Sequence, residues 1–149
     1  DLRQALYASK ICAYAQGFNL LEEAGKVYGW DLQMGRIAKI WRSGCIIRAR
    51  FLDTVSEIFE KENGMTNLLA SGYFSQVLYG ARAGWGRIIS LAVERGAAVP
   101  ALSSALAYFD SYRTARGSAN LLQAQRDCFG AHTYERIDKE GAFHTDWMN

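Results

Sequence analysis

Apolar side chains recur every three or four residues along most of the chain, which is the spacing of one face of an α-helix. The first and longest such stretch covers residues 2–28 and is predicted to end at Gly29, since glycine readily takes the left-handed conformation that follows a helix. Apolar residues surround most of this helix, so we expect it to be central in the fold. Its main apolar positions are Tyr7, Ile11, Tyr14, Phe18 and Leu21.

Two further helices are predicted over residues 31–42 and 46–62. Asp31 fits the N-cap of the first, because a short carboxylate can accept hydrogen bonds from the free N–H groups of the first turn. Ser43-Gly44 is expected to separate the two helices, and Asn63-Gly64 to end the second. The side chains expected to point inward from the second helix are Ile47, Phe51, Val55, Ile58 and Phe59.

Helical periodicity continues over residues 67–79 and 81–94, and Gly80 and Gly84 leave the joint between these two stretches undecided. A helix is then predicted to begin at Pro100, because the first helical position needs no backbone N–H.

The last predicted helix has Ser118 as its expected N-cap and stops at Gly130, which we expect in the left-handed conformation. Residues 134–147 then lose the helical period, and Lys139-Glu140-Gly141 indicates a turn between two short extended pieces. So short a segment has few apolar side chains to bury and is not stable alone. We therefore expect this tail to lie on its own domain or on a partner subunit.

Together these patterns predict an all-α, multi-helix domain over residues 1–133, with a long central helix and a short non-helical C-terminal tail over residues 134–149. The 149 residues are 50% hydrophobic and 21% charged, which is enough for one domain with a sizeable core. No apolar run reaches the roughly 18 residues that a membrane span needs, so no membrane association is predicted. The chain starts at Asp1 without a signal pattern, and we expect it to be part of a longer protein.

The cysteines and the charge narrow the class of protein. Three cysteines, Cys12, Cys45 and Cys128, form no Cys-x-x-Cys pair, which favours reduced thiols and a cytoplasmic protein. The net charge of +2 is too small to indicate a nucleic-acid partner by itself. A basic cluster could bind an anion or nucleic acid, although a solvated surface or ion pairs with Glu22, Glu23, Asp31 or Asp53 are commoner explanations. The cluster consists of Arg36, Lys39, Arg42, Arg48 and Arg50.

Arg126 and His132 are the candidate binding residues at the end of the last helix. On one continuous helix, residues six apart would point about 240° apart. A break at Gly130 lets both side chains converge on a single anion. Taken singly, each has an ordinary alternative: a surface arginine or one paired with Asp127 or Asp110, and a histidine favoured by the helix dipole.

Other possible sites are weaker. Cys128 and His132 have the i, i+4 spacing of metal ligands on a helix, and His144 could add a donor, but no third ligand is evident and we predict no metal site. Gly84-Trp85-Gly86 lacks the third glycine and the preceding strand of a dinucleotide-binding loop. Neither a catalytic triad nor a paired-carboxylate site can be identified.

Longer blocks of sequence resemble the decarboxylating 6-phosphogluconate dehydrogenase family, and they run through the whole chain in order. The blocks are Ala5-Leu-Tyr-Ala-Ser-Lys-Ile11, Tyr14-Ala-Gln-Gly-Phe18, Trp41-Arg-x-Gly-Cys-Ile-Ile-Arg48, Tyr108-Phe-Asp-Ser-Tyr-Arg113, Leu121-Leu-Gln-Ala-Gln-Arg-Asp-x-Phe-Gly-Ala-His-Thr-Tyr-Glu135 and Phe143-His-Thr-x-Trp147.

The resemblance implies that this chain is the later part of an all-helical C-terminal domain plus a tail, and that an N-terminal Rossmann domain that binds NADP is absent from it. It implies that the catalytic lysine and glutamate lie upstream, so that the chain alone is inactive. It also implies a homodimer in which Arg126 and His132 bind the partner subunit's 6-phosphogluconate, with the arginine on the 6-phosphate. The family's enzyme produces ribulose 5-phosphate in the pentose phosphate pathway.

Two alternatives remain open from the sequence. One is a non-enzymatic helical interaction module that kept the fold and lost the chemistry. The other is nucleic-acid binding through the basic cluster, which would make association strongly dependent on salt.

Overall fold

The computed structural model describes residues 1–62 and 65–148 and confirms the predicted all-α class. No helix in this part of the chain is long and apolar enough to cross a membrane. The elements in chain order are α1 (Leu2–Tyr28), α2 (Met34–Arg42), α3 (Leu52–Lys61), a one-turn 3₁₀ helix (Leu68–Ala70), α4 (Gly72–Glu94), α5 (Pro100–Tyr112), α6 (Ala119–Gly130), β1 (Tyr134–Glu135) and β2 (Ala142–Phe143).

The chain divides into two compact units, Asp1–Phe109 and Asp110–Asn149. α6 thus groups with the tail and not with α1 to α4. The proposed domain boundary after residue 133 remains a prediction.

The first unit is built around α1, which has the predicted bounds and ends at Gly29 in the left-handed conformation, with φ of 67°. α1 packs along α4, and α2 packs against α3. The buried face of α1 carries several small side chains, which let a neighbouring backbone come close. Buried residues of α1 include Ala5, Ala8, Ile11, Cys12, Ala15 and Phe18.

Two predicted helix starts are wrong. α2 begins at Met34 after Gln33, and the Asp31 carboxylate accepts a hydrogen bond from Gln33 Nε2 at 2.9 Å and caps no helix. α3 begins at Leu52 and not at residue 46, so Ile47 does not face inward and is 44% exposed. The physical reason is that Gly44 turns the chain with φ of 74°, and the segment up to α3 forms turns, in which Arg48 N donates to Cys45 O and Leu52 N to Ala49 O. The predicted end at Asn63-Gly64 lies outside the described residues.

The stretch from residue 67 contains one long helix and not two. Asn67 Oδ1 accepts a hydrogen bond from Leu69 N and shapes the 3₁₀ turn, and Ser71 Oγ accepts one from Phe74 N and caps α4. α4 then continues through Gly80 and Gly84 without a break. Ser71 follows the 3₁₀ turn and caps α4, and this hydroxyl cap explains why α4 begins at Gly72. The helical period of the sequence alone could not locate that start.

α5 begins at Pro100 as predicted, and α6 ends one residue later than predicted. Gly130 is the last helical residue, and the left-handed position belongs to Ala131, with φ of 49°. Ser118 precedes α6 as expected, but its side chain forms no capping hydrogen bond. The predicted turn in the tail is confirmed, because β1 and β2 form an antiparallel hairpin in which Tyr134 pairs with Phe143.

Trp85 tests the packing of the first unit. Its side chain is fully buried and its indole N–H donates to Leu102 O at 3.2 Å. We expect Trp85→Ala to lower the free energy of unfolding by about 3–5 kcal/mol, since it leaves a large cavity. Trp30→Ala, at a side chain that is 55% exposed, should cost under about 1 kcal/mol. Urea unfolding followed by circular dichroism measures both, and equal costs would contradict this packing.

Candidate functional site

Asp127, in the last turns of α6, is the centre of the second unit. It is fully buried, and four groups donate hydrogen bonds to its carboxylate. Thr133 N (3.0 Å) and His144 Nδ1 (2.9 Å) donate to Oδ1. Thr145 N (3.0 Å) and Trp147 Nε1 (2.9 Å) donate to Oδ2. The tail therefore folds back onto α6 of its own chain through a single side chain.

The electrostatics of this carboxylate follow from its donors. Burial alone raises the pKa of Asp127, because it penalises the charged form. The Thr145 N–H, the His144 imidazole and the Trp147 indole all favour the ionised form, and together they hold the pKa well below its usual range. Asp127 is therefore a buried anion whose two carboxylate oxygens are hydrogen-bonded by protein N–H groups.

The two candidate binding residues lie on either side of Asp127 in sequence. Arg126 and His132 are both exposed, and within the described part of the chain neither forms a hydrogen bond or an ion pair. His132 sits in a turn between Ala131 (φ 49°) and Thr133 (φ 61°), and its ring lies against the backbone of Gly130. Both side chains are thus available to a ligand.

Arg126 forms neither of the ion pairs considered for it, and its exposure fits both a ligand-binding arginine and an ordinary surface arginine. All of the hydrogen bonds described for the Asp127 carboxylate come from other donors, and Asp110 accepts a hydrogen bond from Arg113 Nε at 2.9 Å. His144 is likewise committed to Asp127, and Cys128 is exposed. Among residues 1–62 and 65–148, no group of three or more histidine, cysteine or acidic side chains is arranged to hold a metal ion.

The basic cluster separates into paired and unpaired members. Lys39 Nζ lies 2.6 Å from Glu60, and Arg42 Nε lies 2.9 Å from Asp53, which confirms one of the expected ion pairs. Arg48 and Arg50 are exposed. The cluster is a partly neutralised surface and not a continuous cationic face.

A groove of about 510 Å³ lies in the second unit between α6 and the hairpin. It is separate from Arg126 and His132, neither of which lines it. Its lining residues include Arg116, Asn120, Gln123, Tyr134, Ile137 and Trp147.

Sequence reasoning missed the role of Asp127 and considered it only as a partner for Arg126. One signal was present: Asp127 lies three residues after Ala124, on the half-buried side of α6. A carboxylate on that side needs donors, and the tail is rich in them, with His144, Thr145 and Trp147 close together. Only the folded tail shows which carboxylate they reach.

The lowered pKa of Asp127 predicts acid sensitivity of the second unit. An unfolded aspartate has a pKa of about 3.9, so ionised Asp127 stabilises the folded unit above that pH. The stabilisation is lost as the pH falls below about 4. In an NMR titration, the Trp147 indole N–H signal of the folded unit should persist down to about pH 4 and give way to that of an unfolded indole below it. A folded unit whose stability is the same at pH 2 as at pH 7 would contradict this role of the ionised carboxylate.

Comparison with known proteins identifies the family to which the chain belongs. The model of the family described as "6-phosphogluconate dehydrogenase, C-terminal domain" matches residues 1–147. The chain is 56% identical over 147 residues to the NADP(+)-dependent, decarboxylating 6-phosphogluconate dehydrogenase of Bacillus subtilis (strain 168), and 52% identical over 148 residues to 6-phosphogluconate dehydrogenase, decarboxylating 1, of Oryza sativa subsp. japonica. Each match covers 99% of this chain and 31% of the relative.

A solved structure of the same family has the same fold as this chain. Plasmodium falciparum 6-phosphogluconate dehydrogenase, described in its apo form and in complexes with its cofactor NADP+ and its substrate 6-phosphogluconate, superposes with a TM-score of 0.92 at 40% identity. The match covers 97% of this chain and 31% of that one, so this chain spans about a third of the proteins that it resembles. From the family match, the identities and the shared fold, the chain belongs to the 6-phosphogluconate dehydrogenase family and corresponds to its C-terminal domain.

Proposed function

We propose that this chain is the dimerisation and substrate-completing domain of an enzyme that oxidatively decarboxylates 6-phosphogluconate to ribulose 5-phosphate with NADP. In this proposal Arg126 and His132 bind the substrate held in the partner subunit, with the arginine on the 6-phosphate. The observation that carries the proposal is that Arg126 and His132, two exposed side chains of types that can bind phosphate, have no hydrogen bond or ion pair in the described part of the chain and lie close in sequence to the buried Asp127.

The chemistry of the two side chains supports this role. The guanidinium of arginine is planar and always charged, and it binds two phosphate oxygens at once. A histidine beside a phosphate dianion favours its protonated form and adds a second donor. Because the 6-phosphate is remote from the reacting carbon, binding it positions the substrate without taking part in bond breaking.

The residues of this chain do not fit NADP. In the described part of the chain the only sheet is a two-stranded hairpin, and Gly84-Trp85-Gly86 lies inside α4 with Trp85 buried. Within residues 1–62 and 65–148, no strand leads into a glycine-rich loop that could hold a pyrophosphate. Cofactor binding and oxidation of the substrate therefore belong to residues outside this chain, and we propose that the chain alone has no dehydrogenase activity.

Exposed apolar side chains support a homodimer formed through the helical domain. The outer face of α1 presents leucine and valine at helical spacing, and exposed apolar patches of this kind mark protein interfaces. These side chains are Leu2, Leu6, Leu20 and Val27. We further propose a cytoplasmic enzyme, in keeping with three free cysteines.

Arg126→Ala in the intact enzyme tests the phosphate contact. Loss of one charge-assisted hydrogen-bonding group costs about 1.5–3 kcal/mol. We expect KM for 6-phosphogluconate to rise roughly 10- to 150-fold, with KM for NADP unchanged. Arg95→Ala, at an exposed arginine in the other unit, is the matched control and should leave both constants unchanged. An unchanged KM for 6-phosphogluconate in Arg126→Ala would refute the phosphate role.

Self-association of this chain tests the dimer. Sedimentation velocity over a wide concentration range should show a rising dimer fraction. Leu6→Lys with Leu20→Lys should reduce that fraction, because both changes place charge on the exposed apolar face of α1. Lys10→Leu, a charge removal at an exposed position of the same helix, is the control that should not weaken association. A strictly monomeric profile at the highest concentration would contradict an interface on this domain.

A further inference from the structure

We propose that Asp127 and Gly130 are positioning residues for His132: the Asp127 carboxylate and the absence of a side chain at Gly130 together set the turn that presents the imidazole. The inference rests on the proposed function, in which His132 and Arg126 bind the substrate. It adds two residues that touch no ligand themselves.

The turn around His132 has an unusual backbone. Ala131 and Thr133 both have positive φ, at 49° and 61°, and neither is glycine. Such conformations are uncommon for residues with a Cβ, particularly for β-branched threonine, and they persist only where the surroundings enforce them. His132 therefore lies between two residues held in a conformation that they would not adopt alone.

Asp127 enforces both of these conformations. Its backbone carbonyl accepts the hydrogen bond from Ala131 N at 2.8 Å, and its side-chain Oδ1 accepts the one from Thr133 N at 3.0 Å. One residue thus holds the chain immediately before and immediately after His132.

The carboxylate that accepts the Thr133 hydrogen bond is held in place by its other contacts. It is fully buried, and the tail supplies three further donors from His144, Thr145 and Trp147. Because both of its oxygens are hydrogen-bonded, the carboxylate holds Thr133, and with it the turn, in one position. The backbone of Arg126 is held in place as well, because Arg126 is adjacent to Asp127 on the same helical turn.

Gly130 provides the space in which the imidazole lies. A Cβ at this position would come within 3.1 Å of His132 Nε2 and 3.2 Å of Cδ2, which is closer than most real contacts. The backbone of Gly130 is helical, so the glycine is not required for a left-handed conformation. Its remaining role is to let the ring of His132 fold against the helix end.

Gly130→Ala separates positioning from stability. Alanine is the better helix former, so the substitution should leave the melting temperature unchanged or higher. If it displaces the imidazole, KM for 6-phosphogluconate in the intact enzyme should rise about tenfold, within the roughly 100-fold that a misplacement of 1 Å can cost. Gly80→Ala, at a helical glycine with open space around it, is the control and should leave KM unchanged.

Asp127→Asn tests the anchor. Asparagine keeps the shape but has only one side-chain acceptor atom, so two of the four donors lose their partner whichever way the amide is turned. KM for 6-phosphogluconate should rise, KM for NADP should not, and in a His132→Ala background both Asp127→Asn and Gly130→Ala should add little further loss. Where Asp127→Asn fails to fold, Gly130→Ala carries the test.

These experiments distinguish failure of the positioning role from failure of the proposed function. If Arg126→Ala raises KM while Gly130→Ala and Asp127→Asn leave it unchanged, positioning is wrong and the proposed function stands. If Arg126→Ala raises KM but His132→Ala does not, His132 is no ligand and the positioning role is also overturned. If neither Arg126→Ala nor His132→Ala changes KM, the proposed function itself fails.

Discussion

The Asp127 carboxylate accepts hydrogen bonds from a residue just after α6 and from three residues near the end of the tail. A hairpin whose two strands have only two residues each has too little apolar area to stay folded on its own. Ionised Asp127 supplies the missing stabilisation, because it accepts hydrogen bonds from N–H groups of the tail that would otherwise be buried without an acceptor. The structure of the second unit thus depends on one ionised side chain more than on a hydrophobic core.

If Arg126 and His132 bind the substrate as proposed, this dependence also bears on substrate binding. A ligand-binding arginine and histidine at the end of an unsupported helix would sample many orientations and would bind a phosphate with an entropy cost. Anchoring the helix end and the following turn to the same carboxylate removes part of that cost in advance. In the proposed function, the tail thus holds in place the helix end and the turn that carry Arg126 and His132.

The features that could be predicted from sequence are those encoded locally. α1 was predicted with its correct ends because its period is strong and Gly29 follows it, and Pro100 marked the start of α5. Errors arose where distant contacts decide. The segment before α3 has helical periodicity, yet the Tyr14 hydroxyl donates to Ile47 O there, and the chain turns instead.

The candidate site shows the same division. Arg126 and His132 were found because long blocks of sequence resemble a known family, and their exposure agrees with a binding role. Asp127 could not be found in that way, because its donors lie up to 20 residues away and meet it only in the folded tail. The stop at Gly130 was located to within one residue, but the expected left-handed conformation belongs to Ala131, and the ring of His132 lies where a side chain at position 130 would reach.

Hydrogen exchange measured by NMR at single amides tests the central claim most directly. If the Asp127 carboxylate organises the second unit, the Thr133 and Thr145 amides and the Trp147 indole N–H exchange slowly and open together with one common free energy. Exchange of these three groups at the rates of an unstructured peptide, while the amides inside α6 stay protected, would contradict the account.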